Sequence, residues 1–198
     1  MTEHISLKES LRRLKMDYGR YRGHGFSAFA IFTHPSFITT FWFRIGTWLY
    51  IKNNIFAKIA CIPIRLIYKL QACLSGIQLP LGTSVGGGIM MHHFSCIVIA
   101  RSAVIGENCT IHQGVTIGRV TAGKHAGVPI LADHVVAFAG AKIIGNITLG
   151  SHAVVGANAV VIRDVPDNCV VVGMPAKVVS EDSSKCFEGM WRTVYNFD

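Results

Sequence analysis

From Ile99 onward, aliphatic residues return every six positions: Ile99, Ile105, Ile111 and Ile117, then Leu131, Ala137, Ile143, Leu149, Val155 and Val161. Four positions after most of them stands a second small or aliphatic residue, as at Ala103, Cys109, Val115, Val135, Ala141, Ile147, Ala153, Ala159 and Val165. One step is longer. Ile117 to Leu131 is fourteen, one repeat plus eight residues, and the phase then resumes. A six-residue period suits neither a helix nor an ordinary alternating strand. It is the mark of a parallel β-helix, in which three hexapeptides close one triangular coil and the aliphatic residue points inward. About five coils fit between Leu81 and Val172. The extra residues, "RVTAGKHAGVP", read as a loop pushed out of the solenoid.

The chain ahead of Leu79 follows a different grammar. Ser6 with Glu9 makes a capping-box pattern, and Leu7, Leu11 and Leu14 share a face, so residues 6–17 are predicted helical. "HPSFITTFWFRIGTWLYIKN" and "AKIACIPIRLIYKLQACLSG" read as two apolar helices, the latter starting after Pro63 and stopping at Ser75-Gly76. Arg44 interrupts the first, and Lys58, Arg65, Lys69 and Pro63 interrupt the second, so neither suits a membrane span of about 20 apolar residues. The predicted organisation is an α-helical region over 1–78, a β-helix over 79–180 and a carboxy-terminal tail over 181–198.

Hydrophobic residues make up 51% of the chain and charged ones 15%, which calls for a large core or a buried subunit interface. The net charge of +8 favours an anionic partner, and the basic residues crowd into the first 70 positions. No nucleic-acid signature accompanies them, so nucleic acid is not expected. They read as solvated heads on amphipathic helices or as peripheral contacts to anionic lipid at the inner membrane face. The six cysteines show no paired spacing and read as free thiols. With an amino terminus too polar for a signal peptide, a cytoplasmic protein is expected.

The segment "GGGIMMHHFSCIVIARSAVIG" carries two adjacent histidines. Counted back from Ile99, His93 falls at the inward phase, where the pattern asks for an aliphatic residue. A histidine in a wall position is either held in a hydrogen-bonded corner or functional. An imidazole titrates near neutrality, so it can take the proton of a hydroxyl as that hydroxyl attacks and return it to a leaving group.

With "GGGIMMHHFSCIVIA", "HQGVTIG", "AGAKIIGNITLGSHAVVGANAVVIRDVP" and "VVGMPAKVV" in hand, the chain resembles the hexapeptide-repeat acyltransferases, within them the serine acetyltransferase-like branch. The resemblance implies a left-handed β-helix, acetyl-CoA as co-substrate without a metal, and a homotrimer or a dimer of such trimers. It places the general base at His93. It also sets Gly118, Ala139 and Ala157 along the pantetheine arm and Lys177 near the phosphates. A backbone N–H is expected to hold the oxyanion, and no acyl-enzyme is needed.

Serine acetyltransferases carry acceptor and orienting residues that this chain lacks. Gln78 stands where an Asp orients the base, His92 where a second Asp helps to hold serine, and Gly127 and Val128 where an Arg-His pair helps. Lys124 and His125 lie nearby, out of register, and are candidate substitutes. These departures, with the "HH" pair and "VPDNCVVVG", look like acetyltransferases of exopolysaccharide biosynthesis (colanic-acid type). The expectation is therefore O-acetylation of a sugar in a cell-surface polysaccharide, with serine O-acetylation as the alternative and His92 contacting the acceptor or supporting His93. A zinc site of the γ-class carbonic anhydrase type, drawn from His93, His112, His125, His134 and His152, does not fit the spacings of that family. A purely structural solenoid would need neither His93 nor the long loop.

Overall fold

A computed structural model of the chain describes residues 5–52 and 54–187. The part of the predicted tail from 188 to 198 lies outside the described residues. Four helices come first: α1 (Leu7–Gly23), α2 (Ala28–Thr33), α3 (Pro35–Ile51) and α4 (Ile55–Ser75). Fifteen short strands then wind through three sheets, and a one-turn helix α5 (Ser184–Phe187) closes the described chain.

The sheets are the three walls of a prism. The first wall holds β1 (Ile77–Gln78), β4 (Ile97–Ile99), β7 (Thr116–Gly118), β10 (Lys142–Ile144) and β13 (Val160–Val161). The second holds β2 (Ser84–Val85), β5 (Val104–Ile105), β8 (Ile130–Leu131) and β11 (Thr148–Leu149). The third holds β3 (Met90–Met91), β6 (Thr110–Ile111), β9 (Val136–Ala137), β12 (Val154–Val155), β14 (Val170–Gly173) and β15 (Ala176–Ser180). Every pairing between coils is parallel, and the antiparallel β14–β15 hairpin ends the stack. A bridge from Leu149 to Val165 supplies the second wall in the fifth coil. This is a left-handed β-helix.

The six-residue period is thus the geometry of one wall and one corner. Ile105, Ile111, Ile117, Leu131, Ala137, Ile143, Leu149, Val155 and Val161 all point inward and are buried, and so are the small residues four places on. The first coil departs from the rule. Met91 pairs with Ile111, whereas Ile99 pairs with Ile117, so the first of these steps along the chain is longer than the second by two. Two extra residues therefore sit between Met91 and Ile97. The inward residue that ends the wall ahead of this corner is Met91, fully buried, and the count of six that set His93 in the wall slips by two. His93 stands exposed at the corner that those extra residues form. Ser95 (φ 104°) and Cys96 (φ 53°) take up the turn there in the left-handed region.

In the helical region, Ser6 caps α1 as expected, its hydroxyl accepting from Glu9 N at 3.1 Å, and the helix runs on to Gly23. The second apolar helix does not wait for Pro63. It starts at Ile55 under an Asn54 cap and carries Pro63 inside, on an exposed side. The lost amide bond of a proline costs least where the preceding turn faces water. Gly76 stops the helix at φ 68°. The short α2, not singled out from the sequence, is capped by Ser27.

What holds helices to solenoid is a set of buried guanidinium groups. Arg44, in α3, pairs with Asp17, in α1, through Nε at 2.8 Å and Nη2 at 3.0 Å. The same guanidinium donates to the carbonyl oxygens of Val85 (2.7 Å) and Gly86 (2.6 Å), while Asp17 Oδ1 accepts from Ile89 N at 3.0 Å. Arg20 donates to the carbonyls of Gly88 and Asn108 and to Thr110 Oγ1, and Arg13 to that of Val85. The outward side chains of Met90, Val136, Val154 and Val170 on the third wall are buried in one cluster with Tyr21, Ile31 and Phe37. Part of the basic excess near the amino terminus therefore serves the fold itself.

Removing one partner of a buried, hydrogen-bonded pair leaves the other without compensation, at a cost of about 3–5 kcal/mol. Asp17→Asn and Arg44→Met are each expected to lower the urea midpoint by that equivalent. Substitution in the exposed pair Arg12–Glu107 (2.7 Å) should leave that midpoint almost unchanged, because water screens the pair.

Candidate active site

Because the coils repeat in register, equivalent corner residues stack into columns. His92, His112, Phe138, Gly156 and Val172 each follow an inward residue of the third wall. Their amides bond from coil to coil, His92 N to Ile111 O (3.2 Å), His112 N to Ala137 O (3.0 Å), Phe138 N to Val155 O (2.9 Å) and Gly156 N to Val171 O (2.8 Å). The rings of His92 and His112 stack at 5.2 Å and those of His112 and Phe138 at 5.0 Å, close to the spacing of about 4.8 Å between strands. One residue further on, His93, Gln113, Ala139 and Ala157 form the neighbouring column.

The helical region closes over the top of these columns. His24, just after α1, packs its ring at 5.3 Å from His92, and His34, at the start of α3, lies 6.5 Å from Phe94. Phe26 and Tyr21 stand against His34 at 5.4 and 5.5 Å. His93 is 5.7 Å from His92 and 6.4 Å from His112, ring to ring. Among the described residues its side chain has no hydrogen-bond partner within the chain, so its imidazole is presented to whatever occupies the corner. The Nε2 of His112, the Nδ1 of His34 and the Oε1 of Gln113 are buried without a hydrogen bond among the described residues.

Crowding keeps most of these rings neutral. Burial, followed by the charges of His92 and Arg20, pulls His24 down to about 4. Burial, followed by His92 and His93, pulls His112 down to about 4. Burial also lowers His92 and His34, with His93 the largest charge acting on each. Burial and mutual repulsion therefore keep positive charge off His24, His34, His92 and His112.

The residues singled out from the sequence fall into two groups. His93, Ala139 and Ala157 share one column along the edge between the third and first walls. Lys177, exposed on β15, pairs with Val172 at the far end of that edge. Five strand spacings of about 4.8 Å lie between β3 and β15, so His93 and Lys177 are separated by about 24 Å along the stack. Gly118, Lys124 and His125 lie at the opposite edge of the first wall, where the loop leaves β7, and do not meet His93 within one chain. Gln78 is exposed on β1, and among the described residues no hydrogen bond joins it to His93. His92 is not an exposed strand residue; it is wedged between His24 and His112.

Sequence reasoning missed His24, His34, Phe26, Phe94 and Gln113. The density of aromatic and imidazole side chains in "HGFSAFAIFTHPSF" was the available signal, but only packing shows which edge they cover. The five histidines weighed as zinc ligands separate into three places. His134 and His152 stack at 4.6 Å on another corner, and His125 is in the loop. No group of three or more metal-ligating side chains occurs among the described residues.

No protein-family model matches the chain. Known proteins do. It is 40% identical over 148 residues to serine acetyltransferase of Synechococcus elongatus, covering 74% of this chain and 57% of that protein. It is 33% identical over 149 residues to serine acetyltransferase of Staphylococcus epidermidis, covering 75% of this chain and 70% of that protein. The chain belongs to the serine acetyltransferase family. Among solved structures, that of Neisseria gonorrhoeae serine acetyltransferase in complex with serine has a TM-score of 0.75 at 26% identity, covering 89% of this chain and 72% of that one. That of Brucella abortus serine acetyltransferase in complex with coenzyme A has a TM-score of 0.74 at 25% identity, covering 89% and 70%. The chain spans 57% and 62% of the lengths of the first two curated relatives it matches.

These names overturn the expectation of a cell-surface polysaccharide acceptor. That expectation leaned on Gln78 as a lost orienting residue and on His92, Gly127 and Val128 as lost serine contacts, and the geometry gives His92 and Gly127 other reasons. Gly127 (φ 145°) bonds with Val120 to close the loop, and a Cβ there would meet the Cβ of Asn146 at 2.7 Å. Val128 follows it at the foot of the same loop. His92 belongs to the stacked column. The identities of Gly127 and His92 answer to the packing of this chain and do not report a sugar.

The lowered histidines make stability depend on pH with a definite sign. The unfolded chain takes up protons near pH 6.5 and the folded His24 and His112 only near 4, so stability falls as pH drops through that window. Each half-exposed ring should contribute about 1 kcal/mol after solvent screening. Thermal unfolding followed from pH 7.5 to pH 4.5 should show this loss, and His112→Phe, which keeps the stack on Phe138, should reduce it.

Proposed function

We propose that the protein is an acetyl-CoA-dependent serine O-acetyltransferase with His93 as general base. The observation that carries the reading is the column of His93, Gln113, Ala139 and Ala157, with Lys177 at its far end. A proton acceptor and a cation are set about 24 Å apart along one open edge of small residues. An extended thioester whose reacting end lies by His93 and whose phosphates lie by Lys177 fits such an edge. The known relatives are named for serine, and related structures hold serine or coenzyme A at the same fold.

In this mechanism His93 takes the proton of the serine hydroxyl as its oxygen attacks the acetyl carbonyl. The C–S bond then breaks, and the imidazolium returns the proton to the departing thiolate, so His93 ends as it began. Neutral His92, His34 and His112 around it hold the corner without a competing charge. Ala139 and Ala157 leave backbone groups open beside the pantetheine arm, and Lys177 pairs with a phosphate. Gln78, on the first wall of the same first coil as His93, is assigned to the acceptor side, whereas the assignments of Lys124 and His125 to the acceptor, and of Gly118 to the cofactor, need a second copy. In a homotrimer the far edge of one first wall faces the His93 edge of the next, which would supply Gly118, Lys124 and His125 from the neighbouring subunit.

Thiol release from acetyl-CoA in the presence of L-serine tests the reading. Turnover is expected, with His93→Ala lowering kcat by about 10²–10⁴-fold while the circular dichroism spectrum is unchanged. Lys177→Ala should raise KM for acetyl-CoA by roughly fivefold with kcat retained, the loss of about 1 kcal/mol from an exposed ion pair. Absence of serine-dependent thiol release by the folded protein would refute the proposal.

A further inference from the structure

Helix α4 buries one narrow stripe, Ala57, Cys61, Tyr68 and Ser75, against the rest of the protein. Tyr68 fixes the orientation by donating to Leu79 O at 2.6 Å, and Gln71 donates to Pro35 O at 3.1 Å. The opposite side is apolar. Ile55, Ile59, Ile62, Leu66, Leu70 and Leu74 are between 58 and 73% exposed, and Phe56 is 81% exposed. At 100° per residue these side chains cover the outward face along all 21 residues of the helix. Lys58, Arg65 and Lys69 line one flank of that face, all exposed, and α4 contains no carboxylate. An exposed apolar face of this extent on a surface helix marks an interaction site.

We infer that the outward face of α4 lies on an anionic lipid surface. Its apolar residues enter the boundary between headgroups and acyl chains, and Lys58, Arg65 and Lys69 pair with lipid phosphates. Charge decides between occupants. Antiparallel pairing of α4 with a second copy would set the basic row of one helix beside that of the other, with no acidic side chain on either helix to separate them. An anionic headgroup layer supplies the missing counter-charge along the whole row, and apolar anchors flanked by cations are the form of an interfacial helix. No described helix is long and apolar enough to cross a membrane, so the contact is peripheral. The inference does not depend on which acceptor is acetylated.

The test is sedimentation of the full chain with vesicles of one part phosphatidylglycerol to two parts phosphatidylcholine, beside vesicles of phosphatidylcholine alone. Binding is expected to the first and not to the second, and to be released by high salt. Replacing Lys58, Arg65 and Lys69 by Gln should weaken it roughly hundredfold, about fivefold per cation removed. Ile59→Asp with Leu66→Asp should abolish it with the circular dichroism spectrum and gel-filtration volume unchanged, since both side chains already face solvent. Failure of the parent chain to bind the anionic vesicles, or binding indifferent to these variants, overturns the inference. A shift of the Ile59/Leu66 variant to a smaller species on gel filtration also overturns it, by assigning the face to a second copy.

Discussion

The bidentate pair between Arg44 and Asp17 is the joint on which the arrangement turns. The first coil of a β-helix has no preceding coil to accept or donate its backbone bonds, and the carbonyls of Val85, Gly86 and Gly88 would otherwise face an apolar cover. Arg44, Arg13 and Arg20 supply donors to them, and Asp17 both balances Arg44 and receives the amide of Ile89. Burial raises the Asp17 carboxyl, and Arg44 opposes that rise. Such a network is favourable only when complete, which is why one missing member should be felt throughout.

From that joint follows the shape of the candidate site. With α1 and α3 held against the first coil, the residues at their ends, His24 and His34, come to rest over the corner after β3. The corner itself is two residues longer than the repeat allows, and this frees His93 from the wall that Met91 fills. A solenoid with strict hexapeptides would have buried that imidazole among aliphatic side chains. The insertion instead presents it at one end of a column of small residues, and the helices surround it with neutral rings.

The two halves of the chain differ in how legible they were. In the solenoid, Ile105 or Leu149 has its direction set by its place in a repeat, so the period and the pushed-out loop could be read directly. Ser6 and Gly76 act on their own backbone, so the start of α1 and the end of α4 were equally open to reading. Pro63 misled because its cost depends on which side of α4 meets water. His93 misled because counting back from Ile99 assumes that no residue is inserted, and an insertion of two leaves no local mark beyond two unremarkable residues, Ser95 and Cys96. The acceptor was misjudged for a related reason. Gly127 was read as part of a lost contact, whereas the turn of the loop accounts for it.

By itself, then, the sequence determined the β-helix, its approximate number of coils, the helical start and the histidine pair, because each is written in spacing or in a local backbone preference. Only the tertiary structure decided that His93 leaves the wall, that His24 and His34 join it, and that Arg13, Arg20 and Arg44 bind the first coil while Lys58, Arg65 and Lys69 face outward. Those outcomes depend on which surfaces meet, and a side chain's partner from a distant part of the chain has no signature in its neighbours.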